Sequence, residues 1–236
     1  MCIVCDRKMG RRAFLRLGAG LTAAVALGGS AFAASGSATS LTADQALAKL
    51  KEGNQRYVSS PQACAVDLAK ARAGVAQHQA PWATILSCAD SRVPPELIFG
   101  GQNVGELFIA RNAGNMVDTA TLGTIEYGAA ALGVPLIVVL GHQRCGAVAA
   151  ACEVVEKNSS FPGSIGPMLE PIIPAALAVK GKPGDFVDNA IRENAIRTAA
   201  RIVSASNIVA DLVKKGKVKV VAARYDLDDG RVEFFN

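Results

Sequence analysis

An α/β fold with a mainly parallel central β-sheet flanked by helices is predicted for this chain of 236 residues on three observations. Short β-branched apolar runs alternate with longer helical patterns, the order that builds parallel strands through helical crossovers. Ala83-Thr84-Ile85-Leu86-Ser87 and Leu136-Ile137-Val138-Val139-Leu140 each follow a proline and are apolar enough for a buried strand. Each run also ends where residues with metal-binding side chains begin, Cys88 after the first and His142 after the second.

In chain order, Thr42-Ala43-Asp44-Gln45 opens an amphipathic helix with Ala46, Leu47, Leu50 and Tyr57 on its apolar side, and residues 66–79 suggest a second helix. Such helices cannot bury themselves on a small sheet alone. The strand at 83–87 brings Cys88 to its C-terminal tip; 107–111 reads as a strand and 118–132 as a helix. Gly141 ends the strand at 136–140, so His142 stands at a second tip, and residues 146–155 are helical. Loops are expected at Ser159-Ser160-Phe161-Pro162-Gly163 and Gly181-Lys182-Pro183-Gly184, separated from the end of the chain by one long or broken helix over 185–215. Residues 218–225 and 231–235, joined by Asp228-Asp229-Gly230, read as a terminal hairpin.

The first 33 residues are expected to be a signal rather than part of the fold. Gly10-Arg11-Arg12-Ala13-Phe14-Leu15-Arg16 is a twin-arginine sequence, followed by an apolar run and Ala31-Phe32-Ala33, a small-x-small cleavage pattern with the cut before Ala34. The run is too short and too glycine-rich for a stable membrane anchor. Export by the twin-arginine route to the periplasm or an equivalent compartment is the expectation. Cys2 and Cys5 would leave with the signal. The full chain carries a formal net charge of +5. Removing 1–33, with five basic side chains and one acid, leaves 20 basic and 19 acidic residues, so the basicity gives no reason to expect nucleic acid as a partner. Residues 34–236 are enough for one catalytic domain with a full core.

The chemistry concentrates in Ser87-Cys88-Ala89-Asp90-Ser91-Arg92 and Gly141-His142-Gln143-Arg144-Cys145-Gly146. Zinc takes four tetrahedral ligands from thiolate, imidazole and carboxylate groups. Cys88, His142 and Cys145 supply three, which leaves a fourth position for water or Asp90. Two tips of neighbouring parallel strands meet at the carboxyl edge of the sheet, where open α/β sheets bind ligands. Cys145 precedes a helical pattern, whose positive end favours the thiolate. A Cys88–Cys145 disulfide is the competing reading, and it leaves His142 and Asp90 unexplained. Cys64 and Cys152 read as small buried hydrophobes, and His78 as a solvent-facing helix residue without a role.

Cys-Ala-Asp-Ser-Arg followed some fifty residues later by Gly-His-Gln-Arg-Cys-Gly-Ala, with Gly105-Glu106-Leu107-Phe108-Ile109-Ala110-Arg111-Asn112-Ala113-Gly114-Asn115 between them, resembles the signature stretches of the β-class carbonic anhydrases. The likeness runs from about Ala43 to Val221. It implies zinc on Cys88, His142 and Cys145, and an Asp90–Arg92 dyad that opens or closes the metal, Asp90 being a ligand in the closed state only. It implies N-terminal helices that pack on a partner subunit in a homodimer or larger assembly. Gln102 falls near the position of a glutamine that donates a hydrogen bond to substrate in many members. Ile85 stands where another branch has a tryptophan of an inhibitory bicarbonate pocket, so inhibition of that type is without its side chain. Zinc lowers the pKa of bound water from about 15.7 towards 7, so a zinc-bound hydroxide can attack CO2 and give bicarbonate and a proton. Arg92 matches a carboxylate bidentately and can draw Asp90 off the metal. The same site could hydrolyse carbonyl sulfide or carbon disulfide. A non-catalytic zinc or bicarbonate-binding module is the reading from another class, and a competing carboxylate with its own arginine argues against it.

Overall fold

A computed structural model of the chain describes residues 38–60 and 68–235. The expected signal at 1–33, with Cys2 and Cys5, lies outside the described residues, as does Cys64. Five strands, β1 (Ala83–Cys88), β2 (Leu107–Asn112), β3 (Leu136–His142), β4 (Lys219–Tyr225) and β5 (Val232–Phe235), form one sheet in the order β2-β1-β3-β4-β5. The first four pair in parallel, and β5 returns antiparallel to β4 as the expected terminal hairpin. The connections after β1 and β2 leave β1 between β2 and β3. That change of direction opens a crevice beyond the strands' carboxyl ends.

Every residue of β1 and β3 is buried, because helices cover both faces. On one face Ile85, Val138, Leu140 and Ala223 meet α1 (Ala43–Ser59) and α3 (Pro95–Ile98). On the other, Leu86, Ile137, Val139 and Ala222 meet α4 (Thr119–Ala130), α8 (Phe186–Ala205) and α9 (Asn207–Lys214). Each fully buried Leu or Ile contributes about 1.5–3 kcal/mol, so the alternation along each strand fixes its register against both layers. A third cluster joins Cys88 and Cys145 to α5 (Gly146–Lys157), α6 (Ile165–Leu169), α7 (Ile173–Val179) and the start of α8. The site thus has a packed apolar floor.

Helix α1 starts where expected, with a reciprocal capping box between Thr42 and Gln45. The expectation that it cannot bury its apolar side on its own sheet is corrected for Ala46 and Leu50, which are fully buried in the core with Ile98, Phe99 and Leu136, while Leu47 and Tyr57 are only partly buried. Gly53 is the reason. A Cβ there would stand 2.0 Å from the Phe99 carbonyl oxygen, so only glycine lets the helix come down onto the 99–100 turn. Asn54 fastens the contact by donating to the Ile98 and Gly230 carbonyls and accepting from the Val232 amide.

Helix α2, described from Leu68, ends at Val75, short of the expected end at 79, so the exposed His78 lies beyond the helix rather than on it. The helical stretch at 185–215 is broken between α8 and α9 by Ser206, whose hydroxyl accepts from the Val209 amide as the cap of α9. Among the described residues, no helix is long and apolar enough to cross a membrane.

Candidate metal centre

Cys88 ends β1, His142 ends β3, and Cys145 caps the start of α5, so three separate element ends deliver three donors to one place. All are buried, and their donor atoms lie within 4.8 Å of one another. This is the one group of that kind among the described residues. The two Sγ atoms are 3.9 Å apart. Two thiolates bound at 2.3 Å to one tetrahedral ion stand about 3.8 Å apart, so the spacing fits zinc without rearrangement.

The imidazole gives an independent test. His142 Nδ1 faces the Gln143 carbonyl at 3.0 Å. A carbonyl only accepts, so Nδ1 carries the proton and Nε2 presents its lone pair. That Nε2 is buried with no hydrogen-bond partner in the protein, a costly condition that a metal ion relieves.

Hydrogen bonding from the Cys145 thiol, helped by the Gly114 amide at 3.4 Å, outweighs burial and draws the Cys88 thiol down to about 4. Sharing that proton with Cys88, together with burial, pushes Cys145 up. The start of α5 favours a thiolate at Cys145, as expected. The amides of Ala147 and Val148 do act in that direction, but the neighbouring Cys88 charge is stronger. Cys88 and Cys145 would hold a dication as two thiolates, their charges balancing its own in a buried setting.

Asp90 lies beside the three donors, with Oδ2 3.9 Å from His142 Nε2. Arg92 grips its carboxylate with two parallel bonds, Nε to Oδ1 at 2.9 Å and Nη2 to Oδ2 at 2.7 Å, and the Arg92 amide adds a third. These bonds hold Asp90 well below the usual carboxylate range, so it stays ionised. The geometry is that of a carboxylate held by its arginine next to the metal donors.

Gln102 is not brought to this group. Its amide donates to the Phe99 carbonyl and lies against Gly53 of α1, in the layer on the other face of the sheet from Cys88 and Cys145. Cys152 is a buried core residue of α5 with its thiol pushed up to about 11 by burial, in keeping with a small hydrophobe.

Two supports escaped the sequence reading. Arg111 donates to the Cys88 carbonyl at 2.9 Å and to the Asp90 carbonyl at 2.6 Å, which braces the turn carrying both side chains. Asn194 of α8 is buried and donates to the Gly114 carbonyl at 2.9 Å, fixing the residue whose amide meets Cys88. The signal for Arg111 is its β2 register opposite Ser87, visible once β1 and β2 are known to pair. Asn194 has no local signal.

The described region has close counterparts among known proteins. The carbonic anhydrase family model matches residues 83–232. Carbonic anhydrase 2 of Mycobacterium tuberculosis is 38% identical over 182 residues, 77% of this chain and 87% of that protein. A carbonic anhydrase of Mycolicibacterium smegmatis is 36% identical over 78% of this chain and 89% of its own length. Among solved structures, a Coccomyxa β-carbonic anhydrase in complex with acetazolamide superposes with TM-score 0.63 at 27% identity, covering 79% of this chain and 85% of that one. One of two tetrameric β-carbonic anhydrases from Sordaria macrospora has the same fold, with TM-score 0.62 at 24% identity over 77% and 90% of the two chains.

Proposed function

The chain belongs to the β-class carbonic anhydrase family, and on that premise we propose that it is a zinc enzyme interconverting carbon dioxide and bicarbonate. The observation that carries the reading is the unpartnered Nε2 of His142 facing two cysteine sulfurs at zinc spacing, with an arginine-held carboxylate alongside. Cys88, His142 and Cys145 would hold the ion. Zinc, when bound, supplies the Lewis acidity that makes water a nucleophile near neutral pH.

The chain's own groups do the rest. Arg92 holds Asp90 ionised through two bonds from its guanidinium, so that Asp90 would leave a place on a bound ion to water. Asp90 then accepts a hydrogen bond from the attacking water and orients it towards the carbon of CO2. The His142 tautomer, set by the Gln143 carbonyl, holds the ring for metal binding. Arg111 and the Gly114 amide keep Cys88 and the Asp90 backbone in place while the reaction turns over. A closed structural zinc site has no use for the Asp90–Arg92 pair, which favours the enzyme over a binding module.

For Gln102 the proposed role is a hydrogen bond to substrate. It requires Gln102 to leave both the Phe99 carbonyl and its place on the other face of the sheet from Cys88 and Cys145, and Gln102→Ala should raise KM for CO2; an unchanged KM rejects it. Self-association into a homodimer or larger assembly is proposed in line with the tetrameric Sordaria relative. Export to the periplasm is proposed from Arg11, Arg12 and Ala31-Phe32-Ala33, with cell fractionation as its test. The activity itself is tested by stopped-flow CO2 hydration with zinc content measured on the same sample. Asp90→Ala should keep its zinc and lose hydration. A zinc-loaded wild-type chain without hydration activity would overturn the reading.

A further inference from the structure

We propose that Asp228, at the tip of the β4–β5 hairpin, is a positioning residue for the metal centre, locking the loop that spaces two of the three metal donors. The inference rests on the carbonic anhydrase reading and extends it to a side chain that touches neither the donor atoms nor substrate.

His142 and Cys145 are separated by only Gln143 and Arg144, so the conformation of these two residues sets the bite between imidazole and thiolate. Arg144 has a φ of +54°, in the left-handed region that residues other than glycine avoid. Such a conformation persists where neighbours over-determine it. The hairpin supplies those neighbours. Gln143 donates its amide to the Tyr225 carbonyl at 2.9 Å, and its side-chain oxygen accepts from the Leu227 amide at 3.1 Å. Asp228 adds three more bonds, accepting from Gln143 Nε2 at 3.1 Å and from Arg144 Nη1 and Nη2 at 3.0 and 2.7 Å. These bonds hold the Asp228 carboxyl down at about 2.

Two observations set the clamp apart from ordinary turn chemistry. The turn closes through other groups: Asp226 accepts from the Asp228 amide, Asp229 accepts from the Arg231 amide, and Gly230 takes a positive φ. The Asp228 side chain is not needed for that closure and points its oxygens at the metal loop instead. Asp228 and Arg144 are also largely exposed, and an exposed ion pair contributes little to global stability. Its consequence is local. Gln143 supplies the carbonyl that fixes the His142 tautomer, and the Arg144 carbonyl lies 3.5 Å from Arg92 Nη2, so the held loop touches both the imidazole and the arginine of the dyad.

The test follows zinc release from the full-length zinc-loaded protein to a chromophoric chelator, with the visible spectrum of the cobalt-substituted protein as the second readout. Asp228→Ala is expected to release zinc about tenfold faster, the lower end for outer partners of metal ligands, and to alter the cobalt bands. Arg144→Ala should do the same, and the double variant should be no faster than either single. Asp229→Ala, which disturbs the same turn without touching the loop, should behave as wild type. Wild-type release in Asp228→Ala, equal acceleration in Asp229→Ala, or additive effects in the double variant would each overturn the clamp while leaving the enzyme reading intact. A wild-type chain that takes up no zinc would instead bring down the reading and the clamp with it.

Discussion

Gly114 is the point where backbone conformation, core packing and the metal donors meet, so Gly114→Ala tests their coupling with one methyl group. The residue lies in the short 3₁₀ turn Ala113–Asn115 directly after β2, with φ +78°. An alanine there adopts the left-handed region at a cost of about 1–2 kcal/mol. Its Cβ would stand 2.4 Å from Ile172 Cδ1 and 3.3 Å from Ala147 Cβ. Ile172 is fully buried and cannot swing into solvent, so one of the packed elements must shift, at about 1–3 kcal/mol. The lower backbone entropy of the unfolded alanine chain returns about 0.4–1 kcal/mol. The net loss expected is about 1–5 kcal/mol, read from urea unfolding in excess chelator so that metal binding does not enter. Ala147 is in the first turn of α5 and the Gly114 amide is bonded to Cys88, so the zinc-loaded variant should also release its metal faster. A loss below about 0.5 kcal/mol with wild-type zinc release would refute the packing described around the donors.

Arg92→Gln removes the fork that holds Asp90, and CO2 hydration at pH 7 should fall by about tenfold to a hundredfold while zinc is retained; full activity would reject the dyad. Arg111→Met leaves the Cys88 and Asp90 carbonyls without their donor and should speed zinc release about tenfold, with no change at all counting against the brace. Stability of the chelated protein should rise with pH between about 2 and 4, where the folded state binds fewer protons than the unfolded. The responsible groups are Asp90, held well down by Arg92, Asp228, held near 2 by Arg144, Asp118, held down by the amide of Thr121, and Asp226, held down by the Asp228 amide and Arg224. Their contribution is complete above the ordinary carboxylate value and lost as pH falls through the folded ones. A urea midpoint flat from pH 4 down to pH 2 would contradict it.

The strands and the donors were legible because their signals are local. The proline before each run, the β-branched interior and the glycine after Leu140 place Cys88 and His142 at strand tips without knowledge of the tertiary fold. The caps Thr42 and Asp118 likewise mark their helices from neighbouring residues. What was hidden depends on distant parts of the chain. The burial of α1 rests on Gly53 meeting the 99–100 turn, a contact no periodicity encodes. How the two thiols share a proton depends on one sulfur 3.9 Å from another across 57 residues of sequence, which a rule about helix ends does not contain. Asp228 reads as one more turn residue until its carboxylate is seen to face Gln143 and Arg144. Gln102 shows the reverse limit, since a position within a motif does not say which carbonyl its amide will meet.

Zinc-edge X-ray absorption on protein purified without added metal tests the central claim most directly. The account predicts one zinc per chain with two sulfur neighbours near about 2.3 Å and nitrogen or oxygen neighbours near about 2.0 Å. Absence of zinc, or a zinc shell without sulfur, would contradict it.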